Sequence, residues 1–290
     1  MTENETNPKY GDGGADGSGP RTADKSGQGV VTAFGQTIKT LRLRAGMERE
    51  ELGRRLGYSA ATIASFEQGR RIPSAQVIDQ ADDVLDAGGL LKLWKEEVEK
   101  AQYPVFFQGM AQLEKQALEL LEYDAIFING LLQTEEYTRA LFAMRRPALD
   151  SDTVEQRVAA RLARQDIFDR RPAPLLSFVM TEAVLRHRYG GEQVMRGQLE
   201  HLILTGQRHN VELQVMPGDC EDNAGLGGPF TVVTRRDSKR FLYVEAQVIS
   251  TLETDPEQTS LASARYGIIR AQALTPRKSQ EFIERLLKEL

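Results

Sequence analysis

Two folded units of different class are predicted: an N-terminal all-α helical bundle at 33–100, built on a helix-turn-helix, and a C-terminal α+β (mixed) domain with a small sheet at 101–290. Three observations predict this. The chain has 290 residues, about twice the usual length of one domain. Residues 33–73 carry only helical periodicity, in short runs separated by glycine. From about residue 101 onward, helical and strand-like runs alternate. A leader at 1–32 holds seven glycines among Asn, Asp, Ser and Thr. It has too little apolar surface to offset its chain entropy and reads as disordered.

In the first unit, Phe34, Ile38 and Leu41 fall at i, i+4 and i+7 and form the apolar stripe of a helix, with Lys39 and Arg42 read as lying outside it. A second helix runs from Glu48 to Leu56 and buries Leu52 and Leu56. Gly57 tolerates the positive φ of a tight turn. Ser59 then caps a third helix that ends near Glu67 to Gly69, with Ile63 and Phe66 inward. Two short helices about a glycine-containing turn make the helix-turn-helix plan.

Further along, helices are expected at 110–122, 131–144, 152–169, 181–206 (broken at Gly190–Gly191), 257–273 and 276–289. Strands are expected at Ala125–Ile128, Leu175–Met180, Val211–Met216, Phe230–Thr234 and Phe241–Val248. No internal repeat is visible, which argues against a solenoid.

Composition narrows the function. Hydrophobic residues at 40% and charged residues at 27% are ordinary for a globular chain. No long apolar run and no signal peptide are read, and Cys220 is the single cysteine, so a cytoplasmic protein without disulfides is expected, nucleoid-associated when on DNA. The net charge of −5 speaks against nucleic acid only if charge is evenly spread. It is not. Residues 33–73 hold eight basic against four acidic residues, and 74–100 hold three against seven.

The stretch Met47–Pro73, with Leu52, Gly53, Leu56, Gly57, Ser59, Ile63, Glu67, Gly69 and Pro73 in order, resembles the helix-turn-helix of the phage-repressor-like (Xre) regulators. The resemblance implies that the third helix enters the major groove of double-stranded DNA. Ser59, Ala60, Ala61, Thr62 and Ser65 are then the residues at its reading end, all short, so direct readout is expected to be modest. Arg42, Arg49, Arg70 and Arg71 are the phosphate candidates, with solvated salt-bridging arginines as the alternative. The sequence departs from the family at Glu48, where a Ser or Thr cap is usual, and at Arg49, where Gln is usual.

Beyond residue 101, Gly130-Leu131-Leu132-Gln133-Thr134, Arg161-Leu162-Ala163-Arg164-Gln165, Thr181-Glu182-Ala183-Val184-Leu185, Gln198-Leu199, Val215-Met216-Pro217, Gly228-Pro229-Phe230 and Tyr243-Val244-Glu245 resemble an actinobacterial regulator family. Asn129 departs from its usual Pro. In that family a repressor-like helix-turn-helix precedes a large domain of unassigned biochemical function. The resemblance implies an antitoxin-like regulator, commonly encoded beside a small protein partner. An autoregulating repressor acting as a homodimer on a pseudo-palindromic operator is therefore expected, since one short helix reads only a half-site.

Arg157, Arg161 and Arg164 occupy i, i+4 and i+7 and form a cationic stripe, read either as a solvated, Glu-paired face or as a docking strip for an acidic partner or for flanking phosphate. Gly225-Leu226-Gly227-Gly228 lacks the lysine of a phosphate loop and reads as a connection between strands. His187, His201 and His209 have no zinc-site spacing, and Cys220 sits among acids that blunt a nucleophile. No enzyme activity, cofactor or metal is expected. Two alternatives stay open: a module that neutralises a small partner protein, and a ligand-gated regulator with a pocket near 222–229.

Overall fold

The computed structural model describes residues 25–101, 105–247 and 249–290. The leader expected at 1–32 lies outside the described residues as far as residue 24. Its last eight residues do not belong to a leader: the first helix, α1, spans Lys25–Arg44. Val31 explains the correction, because it is buried on the same side as Phe34 and Ile38 and extends their stripe by a turn.

Four more helices complete the bundle: α2 (Arg49–Leu56), α3 (Ala60–Glu67), α4 (Ala75–Val84) and α5 (Lys95–Ala101), the last entered through a 3₁₀ turn at Lys92–Trp94. Their core gathers Phe34, Ile38, Leu52, Ile63, Phe66, Ile78, Leu91 and Val98. Buried Asp82 on α4 fastens the loop that follows. Its carboxylate accepts the backbone N–H groups of Gly89 (2.9 Å) and Leu91 (2.9 Å). Burial opposes its ionisation, but these amides outweigh that and hold the group below the usual carboxylate value.

The second unit is a six-stranded mixed sheet with helices on both faces. Its strands are β1 (Ala117–Asp124), β2 (Leu175–Thr181), β3 (Val211–Met216), β4 (Phe230–Arg235), β5 (Arg240–Glu245) and β6 (Ser250–Glu253). Its helices are α6 (Val105–Gln116), α7 (Glu135–Ala143), α8 (Ser151–Ala163), α9 (Glu182–Arg186), α10 (Glu192–Gly206), α11 (Pro256–Gln272) and α12 (Pro276–Glu289). The strand order is β3-β2-β1-β4-β5-β6. β1, β2 and β3 run parallel through helical crossovers, whereas β4 runs antiparallel to β1. The larger core joins Leu120, Leu176, Phe178, Leu213 and Val215 to Leu131, Tyr137, Leu199, Leu202 and Ile283. On the opposite face, Tyr123 and Val179 pack against Tyr266 and Ile269 of α11.

Two expectations are corrected here. The helix expected at 110–122 stops at Gln116, and the strand expected at Ala125–Ile128 lies earlier, as β1. Ala, Leu and Glu favour a helix locally, but Leu120 and Tyr123 are buried on opposite faces between β2 and β4, and sheet pairing overrides propensity. The strand expected at Phe241–Val248 is present as β5, which ends at Glu245 and pairs with a further strand, β6, that the sequence reading did not include. No helix among the described residues is long and apolar enough to cross a membrane.

Candidate nucleic-acid interface

The α2–α3 pair is set by backbone needs that few residues meet. Gly57 closes α2 at φ 78°, the left-handed region that glycine enters without strain. Gly53 lets the following turn approach: a Cβ there would stand 2.4 Å from the Tyr58 carbonyl oxygen. Ser59 caps α3, its Oγ accepting the Thr62 N–H at 3.2 Å. Tyr58 packs edge-on against Phe66 and fixes the turn to the third helix.

Of the reading-end residues, Ser59 and Ala61 are exposed and Ala60, Thr62 and Ser65 half-buried. Their hydroxyls also have internal partners: Thr62 Oγ1 lies 3.0 Å from Ser59 Oγ, and Ser65 Oγ donates to the Ala61 carbonyl at 3.1 Å. Hydroxyls held in this way are pre-oriented. The same geometry leaves Ala60 and Ala61 as small apolar contacts suited to a thymine methyl.

The four arginines separate. Arg71 is exposed, and so is Arg70, whose Nη1 lies 3.6 Å from Asp152 Oδ2 at the start of α8. Arg49 keeps 37% of its side chain exposed while its Nε donates to Glu67 Oε2 at 2.8 Å. Arg42 does not lie at the surface: it is 4% exposed, and its guanidinium donates to both oxygens of Glu67 and to the Met47 carbonyl. Its expected place at phosphate is corrected to that of an internal strut. The signal was present, because Arg42 follows Phe34 and Ile38 at a spacing of four and shares their buried stripe.

Glu67, legible in the sequence only as a motif position at the end of the third helix, has a structural role. Fully buried, it joins α1, α2 and α3 through Arg42 and Arg49. Burial works against its charge, but the hydrogen bonds from Arg42 and Arg49 prevail and hold its carboxyl below the usual range.

The stripe Arg157, Arg161 and Arg164 faces inward, so a solvated face does not describe it. Arg164 pairs bidentately with Glu114 of α6, with Nε 2.8 Å from Oε2. Arg161 donates to Gln133 Oε1 at 2.9 Å and stacks over Phe142 at 4.5 Å. All three line one cavity of about 580 Å³ beneath α8. Among the described residues no group of His, Cys, Asp and Glu is arranged to hold a metal ion.

Comparison with known proteins finds a family match in each unit. Residues 33–93 match the family described as "Helix-turn-helix domain", and residues 107–285 match "Domain of unknown function (DUF5753)". Over 53 residues, 18% of this chain and 77% of the relative, the chain is 36% identical to the uncharacterized HTH-type transcriptional regulator YazB of Bacillus subtilis (strain 168). No solved structure matches.

Proposed function

This chain belongs to the DUF5753 family and carries a helix-turn-helix domain ahead of that region, and from this premise we propose that it is a sequence-specific, DNA-binding transcriptional regulator. The observation that carries the reading is the first turn of α3, capped by Ser59 and accessible at Ala60, Ala61 and Thr62, with Arg49 held at Glu67 at the helix's other end and the exposed Arg70 and Arg71 just beyond it. In this reading α3 sits in the major groove while the arginines grip phosphate. Arg42 acts behind them by holding Glu67, which in turn holds Arg49.

The finer reading is an antitoxin-like repressor of its own operon. It acts as a homodimer on two half-sites, and a small protein from an adjacent gene binds its sheet domain. The test is a titration of the full chain against the duplex upstream of its own coding region and against a scrambled duplex. Preference for the upstream duplex, a steep salt dependence and a two-fold footprint with half-sites about one helical turn apart are expected. Equal affinity for both duplexes would remove sequence-specific regulation. A single-half-site footprint by a chain that sediments as a monomer would remove the dimer.

A further inference from the structure

The cavity beneath α8 is unexplained by DNA binding. It lies at the carboxyl end of β1, beside β4, where the sheet changes from parallel to antiparallel. Ligands of α/β sheets collect outside the carboxyl ends of strands where the winding changes direction. Its volume of about 580 Å³ falls in the usual range for small-molecule sites.

Charges of both signs line it. The roof is the arginine stripe of α8; the floor is the sheet, where alternation along β1 puts Glu122 and Asp124 on the same side as Leu120. Glu122 accepts from Thr231 at 2.7 Å, and Asp124 Oδ1 accepts from Asn129 at 3.4 Å. Asp124 Oδ2 is buried without a hydrogen-bond partner. Opposite it, Arg161 has a neutral acceptor, Gln133, and no carboxylate within ion-pair distance among the described residues. Glu114, which also lines the cavity, is committed to Arg164, which leaves Arg161 with Gln133 as its hydrogen-bond partner. A water molecule would satisfy Asp124 but would not offset the guanidinium.

Desolvation, together with Arg164, lowers the affinity of Arg161 for its proton to a pKa of about 9, so its charge is held at a cost that an anion would relieve. Aromatic surface from Phe127, Phe142 and Phe230 completes the lining.

We propose that this cavity binds a small ring-bearing molecule carrying both an acid group, taken by Arg161 on α8, and an amine, taken by Asp124 on β1. The ring lies against the phenylalanines. The site is independent of the DNA-reading surface and stands or falls separately from it.

Isothermal titration of the full chain with two probes of this chemistry tests the assignment. L-Tryptophan offers a carboxylate and adenosine 5′-monophosphate a phosphate, so the two arms also tell which anion the roof prefers. Tryptamine and adenosine, which keep the nitrogen group but lack the acid, serve as controls. Saturable one-site binding of at least one acid-bearing probe is expected, at least about tenfold tighter than its control. Arg161→Gln and the near-isosteric Asp124→Asn should each weaken it by at least about tenfold, with Arg277→Ala, an exposed change on α12, leaving it unchanged. Operator affinity measured in the same variants keeps a failure of this site distinct from a failure of DNA binding. No saturable binding of either probe at millimolar concentration overturns the proposal, as does equal affinity in Arg161→Gln and the parent chain.

Discussion

At the scale of single residues, the four arginines that the resemblance marks as phosphate candidates have different physical roles. Arg42→Ala should destabilise the bundle by about 3 kcal/mol, because it leaves the Glu67 carboxylate buried with one partner fewer. Chemical denaturation measures this, and a loss below about 1 kcal/mol would contradict the strut role. Arg71→Ala should leave stability unchanged, weaken binding to every duplex and lower the salt slope by about one. Thr62→Ala should instead alter the preference between duplexes; an equal loss on specific and scrambled DNA would exclude it from reading. The helix-turn-helix was legible residue by residue because glycine turns, caps and apolar spacing are local. The Arg42–Glu67 pair was not, since its partners are 25 positions apart.

At the scale of elements, the bundle and the sheet should respond to acid with opposite sign. Asp82 and Glu67 have lowered folded values, so their stabilisation is complete above the unfolded values of about 3.9 and 4.3 and is lost as pH falls through the folded ones. In β1, burial and, for Glu122, the neighbouring Asp124 push the carboxyls upward, Asp124 to about 7. Those groups favour the folded sheet at low pH, and this contribution falls as pH rises from about 4 toward 7. Thermal melts followed separately in the two domains should show the bundle weakening below about pH 4 and the sheet weakening toward neutrality. Asp124→Asn should flatten the second trend, and an unchanged profile would contradict it. β1 itself reads as helix in the sequence because its composition is helical, while its conformation is imposed by the strands on either side.

At the scale of the whole molecule, α8 touches both units. Its Asp152 meets Arg70 of the bundle, and its inner face roofs the cavity. The exposed pair is worth at most about 1 kcal/mol, so Asp152→Ala should raise affinity for any duplex by about two- to fivefold at low salt. Filter binding of the variant and the parent chain decides this, and equal affinities would leave Arg70 unrestrained by α8. The sequence alone determined the division into a helical bundle and an α+β domain, the place of the helix-turn-helix and the basic segment hidden in a net charge of −5. These depend on periodicity, caps and counts within a few turns of chain. Only the tertiary structure decided which arginines face water, where β1 begins and that three arginines roof a cavity. Burial depends on what packs opposite a side chain, and those partners come from distant parts of the chain.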